Sequence, residues 1–109
     1  MRDYPKHIKR KLIELKYEAH ERELARELTK LADRFDDWKA GRIGAGELNE
    51  LIHQHHNGPS RELLNFYNNV GDNGLAVVCA ITKGILREDE IPEDVWSHIE
   101  RFLPFSFNE

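Results

Sequence analysis

Apolar residues recur at helical spacing along most of the chain. The longest series is Ile13, Tyr17, His20, Leu24, Leu28, Leu31, Phe35 and Trp38, with steps of 4, 3, 4, 4, 3, 4 and 3. Such steps hold one side of a 3.6-residue helix, so the pattern predicts a single long helix over residues 6–38. Glu, Arg, Lys and Ala fill the other positions, and most of these favour helix. A second, shorter stripe consists of Ile8, Leu12, Leu15 and Ala19. It lies well over a quarter turn from the first. A helix apolar on two sides needs two partners. The longer stripe is expected to face the body of the domain. The shorter one is then left for another segment or another chain, which makes Ile8, Leu12 and Leu15 expected interface anchors, with Phe105 and Phe107 in the aromatic tail beside them.

Shorter periodic segments follow. Leu48, Leu51 and Ile52 predict a helix over 47–56, which "NGPS" should end, with Gly58 at its C-terminal cap and Pro59 blocking continuation. Ser60 is then the expected N-cap of a helix over 61–69 carrying Leu63, Leu64, Phe66 and Tyr67. "NNVGDNG" reads as a turn. The run from Leu75 to Leu86 is apolar nearly all round, and its length predicts a central helix over 75–87 rather than a strand. Pro92 opens a last helix over 92–103 with Val95, Trp96, Ile99, Phe102 and Leu103 inward. The expected fold is therefore all-α: a single-domain bundle of about five helices with a long N-terminal helix.

Composition narrows the function classes. The chain has 109 residues, which suits one domain. No apolar run approaches the roughly 18–20 residues that span a bilayer, and the N-terminus lacks the apolar core of a secretion signal. The single cysteine, Cys79, sits in "GLAVVCAI" and points to a reduced, cytoplasmic setting with an inert core thiol. Net charge is −4, split between +3 over residues 1–30 and −7 over the rest. The acidic body argues against broad nucleic-acid wrapping and leaves only a basic N-terminal contact through Lys9, Arg10 and Lys11.

One loop has a distinctive order. With Asp36 as the first of twelve positions, Gly41 is sixth, Ile43 eighth and Glu47 twelfth, and Leu31, Phe35, Leu48, Leu51 and Ile52 flank it. Residues 31–52 thus resemble the EF-hand family in degenerate form. The resemblance implies a helix–loop–helix corner with Asp36 and Glu47 at the outer ligand positions. The third, fifth and ninth positions are Trp38, Ala40 and Gly44, so the calcium ligands are largely missing. The loop is read as architecture: the glycines for the turn, Ile43 as a peg, Trp38 as a buried anchor at its base.

The other chemistry-bearing stretch is "ELIHQHHNG". Glu50, His53 and His56 are spaced three apart, so they share a helix side and form the candidate metal or catalytic set. Two histidines and a carboxylate suit a transition metal, and Glu-x-x-His resembles half the ligand set of di-iron bundles, but no second copy of the motif is present. No phosphate loop or nucleophile pattern is found, and no cofactor is expected. The leading expectation is a non-enzymatic protein-interaction or regulatory module that self-associates, as a dimer, or binds another protein. A histidine-dependent hydrolase built on Glu50, His53 and His56 is the second reading, and nucleic-acid contact through the basic end is the third.

Overall fold

A 34-residue helix, α1 (Lys6–Lys39), forms the spine of the computed structural model, which describes residues 4–105. At 1.5 Å per residue it is about 51 Å long, and it sets the long dimension of a molecule measuring 53 × 28 × 26 Å. The chain continues through α2 (Ala45–His55), a π-helical segment (His56–Ser60), α3 (Arg61–Asn69), α4 (Asn73–Thr82), a 3-10 turn (Glu88–Glu90) and α5 (Glu93–Ile99), and closes on a 3-10 segment (Glu100–Phe105). The architecture is an all-α bundle on a long N-terminal helix.

The core gathers around the first half of α1. Ile8, Leu12, Leu15 and Ala19 join Tyr67, Val77, Val78, Ala80, Ile85, Leu86, Ile91, Val95 and Ile99 in one buried cluster. Helix α4 is its centre. Its run from Ala76 to Ala80 is wholly buried, as expected of a helix apolar nearly all round.

The two stripes of α1 exchange the roles expected of them. The short stripe is buried, with Ile8, Leu12 and Leu15 exposed by only 1%, 0% and 8%. On the long stripe Tyr17 is 67%, Leu28 47% and Trp38 42% exposed. The physical reason lies in the neighbours. Ala19 on α1 and Ala80 on α4 are small, fully buried and part of one core cluster, which leaves room for close packing on the short-stripe side. Ile8, Leu12 and Leu15 are thus satisfied within one chain, and Trp38 is a half-exposed side chain rather than a buried anchor. Phe107 and the side chain of Phe105 lie outside what the structure describes.

Two helix ends show why their glycines are needed. At the end of α1, Gly41 has φ +80°, its N–H donates to the Trp38 carbonyl, and the Arg42 N–H donates to that of Asp37. At the end of α4, Gly84 (φ +79°) donates to Ile81 and Ile85 donates to Ala80. Both are Schellman closures, which need a residue at positive φ and therefore favour glycine. Asp72 caps the start of α4, its Oδ1 accepting from the N–H groups of Gly74 and Leu75 and from the Tyr4 hydroxyl.

"NGPS" does not end a helix. His55, His56, Ser60 and Arg61 all keep right-handed helical dihedrals, so α2 and α3 form one rod from Ala45 to Asn69 with a π turn holding Pro59. Proline in an α-helix clashes with the carbonyl four residues earlier and lacks an N–H; widening the turn relieves the clash without stopping the helix. Gly58 accordingly has no positive φ, and the Ser60 side chain makes no cap hydrogen bond.

Candidate interaction surface

The second half of α1 leaves the core, and α2 is the element that folds back against it. The corner between them braces itself: Arg42 Nε donates to Asp37 Oδ1 at 2.9 Å, and Arg34 pairs with the other Asp37 oxygen at 3.0 Å. Gly44 precedes α2 in extended conformation, and Glu47 stands in the first turn of α2, where the helix dipole favours its charge. Leu48 is buried in this contact.

α2 covers one flank of the long stripe only. Between the two helices runs a groove lined by Glu27, Lys30, Leu31, Arg34, Leu51 and His55. Of its charged residues, Lys30 pairs with Glu27 at 2.9 Å and Arg34 with Asp37, while Asp33 on the rim is exposed. On the far flank an open depression is lined by Leu28, Leu31, Ala32, Phe35, Asp36 and Lys39. Further up the same helix a second depression is formed by Lys6, Lys9, Arg10, Ile13, Glu14 and Tyr17. The outward face of α1 is thus apolar in its middle and charged toward both ends.

Where the buried stripe continues past Ala19, it becomes ionic. Arg22 donates from Nη1 and Nη2 to the two oxygens of Glu90 at 2.9 and 2.7 Å, from Nε to Glu18 at 2.9 Å, and from Nη1 to the Ile85 carbonyl at 2.9 Å. Bidentate guanidinium–carboxylate pairing of this kind is both strong and geometrically selective. The Arg22 hydrogen bonds, helped by the Arg87 N–H, pull the Glu90 carboxyl down to about 2, and the same carboxylates raise the Arg22 guanidinium further. At the neighbouring position, the Tyr67 hydroxyl donates to Glu23, which also pairs with Lys83 at 3.2 Å. Burial, then the Glu23 carboxylate, pushes the Tyr67 phenol up. His20 stacks on the Tyr67 ring at 4.9 Å. Burial also raises the Cys79 thiol, which holds it protonated and unreactive within the core.

The histidine stretch is less concentrated. His53 and His56 are exposed, His55 is half-buried at the groove, and Glu50 accepts from Gln54 at 3.4 Å. No three His, Cys, Asp or Glu side chains converge in a metal-holding group among the described residues. Lys9 and Arg10 are exposed and Lys11 pairs with Glu14 at 3.5 Å. Successive residues point about 100° apart, so these three cations spread around the helix instead of forming one patch. None of the helices of the described residues is long and apolar enough to cross a membrane.

The Arg22–Glu90 and Tyr67–Glu23–Lys83 arrangements are not marked by any local spacing, since their members lie 68, 44 and 60 residues apart. No family model, curated protein or solved structure significantly matches this chain.

Proposed function

We propose that the chain is a non-enzymatic helical interaction module whose contact surface is the outward face of the second half of α1, centred on Leu28, Leu31, Phe35 and Trp38. The observation that carries this reading is the stripe itself: Leu28 and Trp38 exposed, Leu31 and Phe35 half-buried, at regular helical spacing beside an open depression, on a helix whose other stripe is buried in the core. Contiguous apolar surface of this kind marks contact sites, and the aromatic pair Phe35 and Trp38 supplies side chains of the type that dominate interface energetics. The EF-hand-like corner serves in this reading as a joint, with Asp37 held by Arg34 and Arg42, that sets α2 against one flank and leaves the other open.

Mild cross-linking in the source cell, followed by recovery of the chain, tests the reading. Wild type should carry a protein in stoichiometric amount, and Leu28→Glu should reduce its recovery about tenfold or more, as expected when a charge enters an interface core. Circular dichroism should report the same helix content for both. Equal recovery with both chains, or none with either, would remove this surface from consideration.

A further inference from the structure

We infer that α2 is a displaceable cover: it undocks from α1 and unwinds while the core stays folded, hinged at the corner over residues 40–44 and at the π turn around Pro59. Little holds it in place. Leu48 is the one residue of α2 that is buried, and it lies outside the core cluster. Leu51, Ile52 and His55 are half-buried, and every other residue of the helix is exposed. Among the described residues, no α2 side chain makes a hydrogen bond or ion pair to another element; Gln54 reaches only Glu50, one turn back.

The core elements are fastened differently. α4 buries Gly74 and the whole run from Ala76 to Ala80. Tyr4 ties its start through Asp72, and Lys83, just past its end, pairs with Glu23. Tyr67 of α3 is buried and donates to the same Glu23, while Arg22 clasps Glu90 and the Ile85 carbonyl. Opening free energies within one protein follow this kind of difference, from nearly zero where few apolar contacts are buried up to the global value in the core.

Both ends of α2 are weakly closed. Gly44 at its start supplies no side-chain cap, and at its end Pro59 has no N–H to carry the helical ladder through the π turn. With 11 residues, α2 is shorter than the roughly 12–15 that an isolated helix needs, so once undocked it unwinds. α1 does not follow it, because its first half is anchored in the core and its second half carries the Lys30–Glu27 and Arg34–Asp37 pairs. Opening uncovers the inner flank of Leu31, which lines the groove with Leu51, and so widens the apolar face of the second half of α1. That consequence rests on the contact reading above; the opening itself does not.

Amide hydrogen exchange of the whole chain, followed residue by residue by NMR with no partner present, tests this inference. In the wild type, amides of residues 49–55 should exchange at least about a hundredfold faster than those of 76–80, after correction for intrinsic rates. Low urea should speed α4 exchange steeply and leave α2 nearly unchanged, because undocking exposes little surface. Leu12→Ala weakens the closed and the undocked forms alike, so it should speed α4 exchange about a hundredfold and leave α2 as it was. Leu48→Ala weakens only the closed form and should speed both sets by one common factor, about tenfold or more. A shared rate and a shared urea dependence in the wild type would mean that α2 opens only when the whole chain unfolds, which overturns the inference. It is overturned equally if Leu48→Ala leaves residues 49–55 untouched, since their exchange is then fraying of the helix and not its release. Leu28-dependent recovery of a partner is a separate result, so the contact face stands or falls by itself.

Discussion

The two halves of α1 share one helix and differ in nearly everything that surrounds them. Residues 6–22 press Ile8, Leu12, Leu15 and Ala19 into a core shared with α4 and α5, and end on an arginine held by two carboxylates. Residues 23–39 have α2 on one flank and solvent on the other, with Leu28 and Trp38 both more than 40% exposed. The lesson is that apolar periodicity locates a helix and its faces but does not rank them. The longer and greasier stripe is the one left outside. The shorter stripe is chosen because it ends in Ala19 and meets a helix with small residues, so the backbones close up and dispersion contacts accumulate.

The largest expected effect tests that contrast directly. Leu12→Ala should lower the unfolding free energy by about 3 kcal/mol, the usual cost of a cavity in a packed core. Leu28→Ala, measured where the chain is monomeric, should change it by no more than about 0.5 kcal/mol, as for an exposed position. Urea denaturation of both variants settles the matter. Comparable losses from both would mean that the second half of α1 carries as much of the intrachain packing as the first.

Much of the fold was legible in the sequence because its helices are announced by period and punctuation. The expected span 6–38 became Lys6–Lys39 and 61–69 became Arg61–Asn69, whereas the helix expected over 75–87 is the shorter α4, Asn73–Thr82, stopped by the turn at Gly84, and that over 92–103 is α-helical only over Glu93–Ile99. The misreadings have specific physical sources. Pro59 carries the local signature of a stop, yet a π turn offers enough room for its ring, and nothing local in "HNGPS" distinguishes the two outcomes. The size of Trp38 suggests burial at the base of the corner, whereas its side chain is 42% exposed. The candidate site fared less well. Its residues Leu28, Leu31, Phe35 and Trp38 were all visible as a stripe, but their role depended on α4 winning the other side of the helix. Arg22 and Glu90 lie 68 residues apart, and no spacing rule connects them.

A smaller effect sharpens the account of the corner that places α2 on only one flank. Gly41→Ala should cost about 1 kcal/mol, because φ +80° is reached by glycine without the Cβ penalty. Gly44→Ala, at φ −90°, should cost no more than about 0.5 kcal/mol. Open space surrounds both positions, so crowding does not enter the comparison. If Gly44→Ala proves the costlier of the two, the Schellman closure is not what holds the corner.

The last and smallest effect concerns the boundary between the halves, where the apolar stripe gives way to Arg22. Glu90 is drawn from the ordinary carboxylate value of 4.5 to about 2 by Arg22 and the Arg87 N–H. A carboxyl whose folded value is depressed stabilises the fold fully above its unfolded value and loses that contribution as pH falls toward the folded one. The Arg22–Glu90 contribution should therefore be complete above about pH 5 and fade between pH 4.5 and 2. Partial exposure of Arg22 screens the pair and keeps the effect modest. Urea midpoints for wild type should drop across that window, and Glu90→Gln should flatten the drop while lowering the midpoint at neutral pH. The Glu23–Tyr67–Lys83 group supplies an internal control, because it lies beside the same boundary and is untouched by the substitution. An unchanged acid limb in Glu90→Gln would mean that Arg22 is held by Glu18 and the Ile85 carbonyl alone, and that the two halves of the helix meet without an ionic clasp.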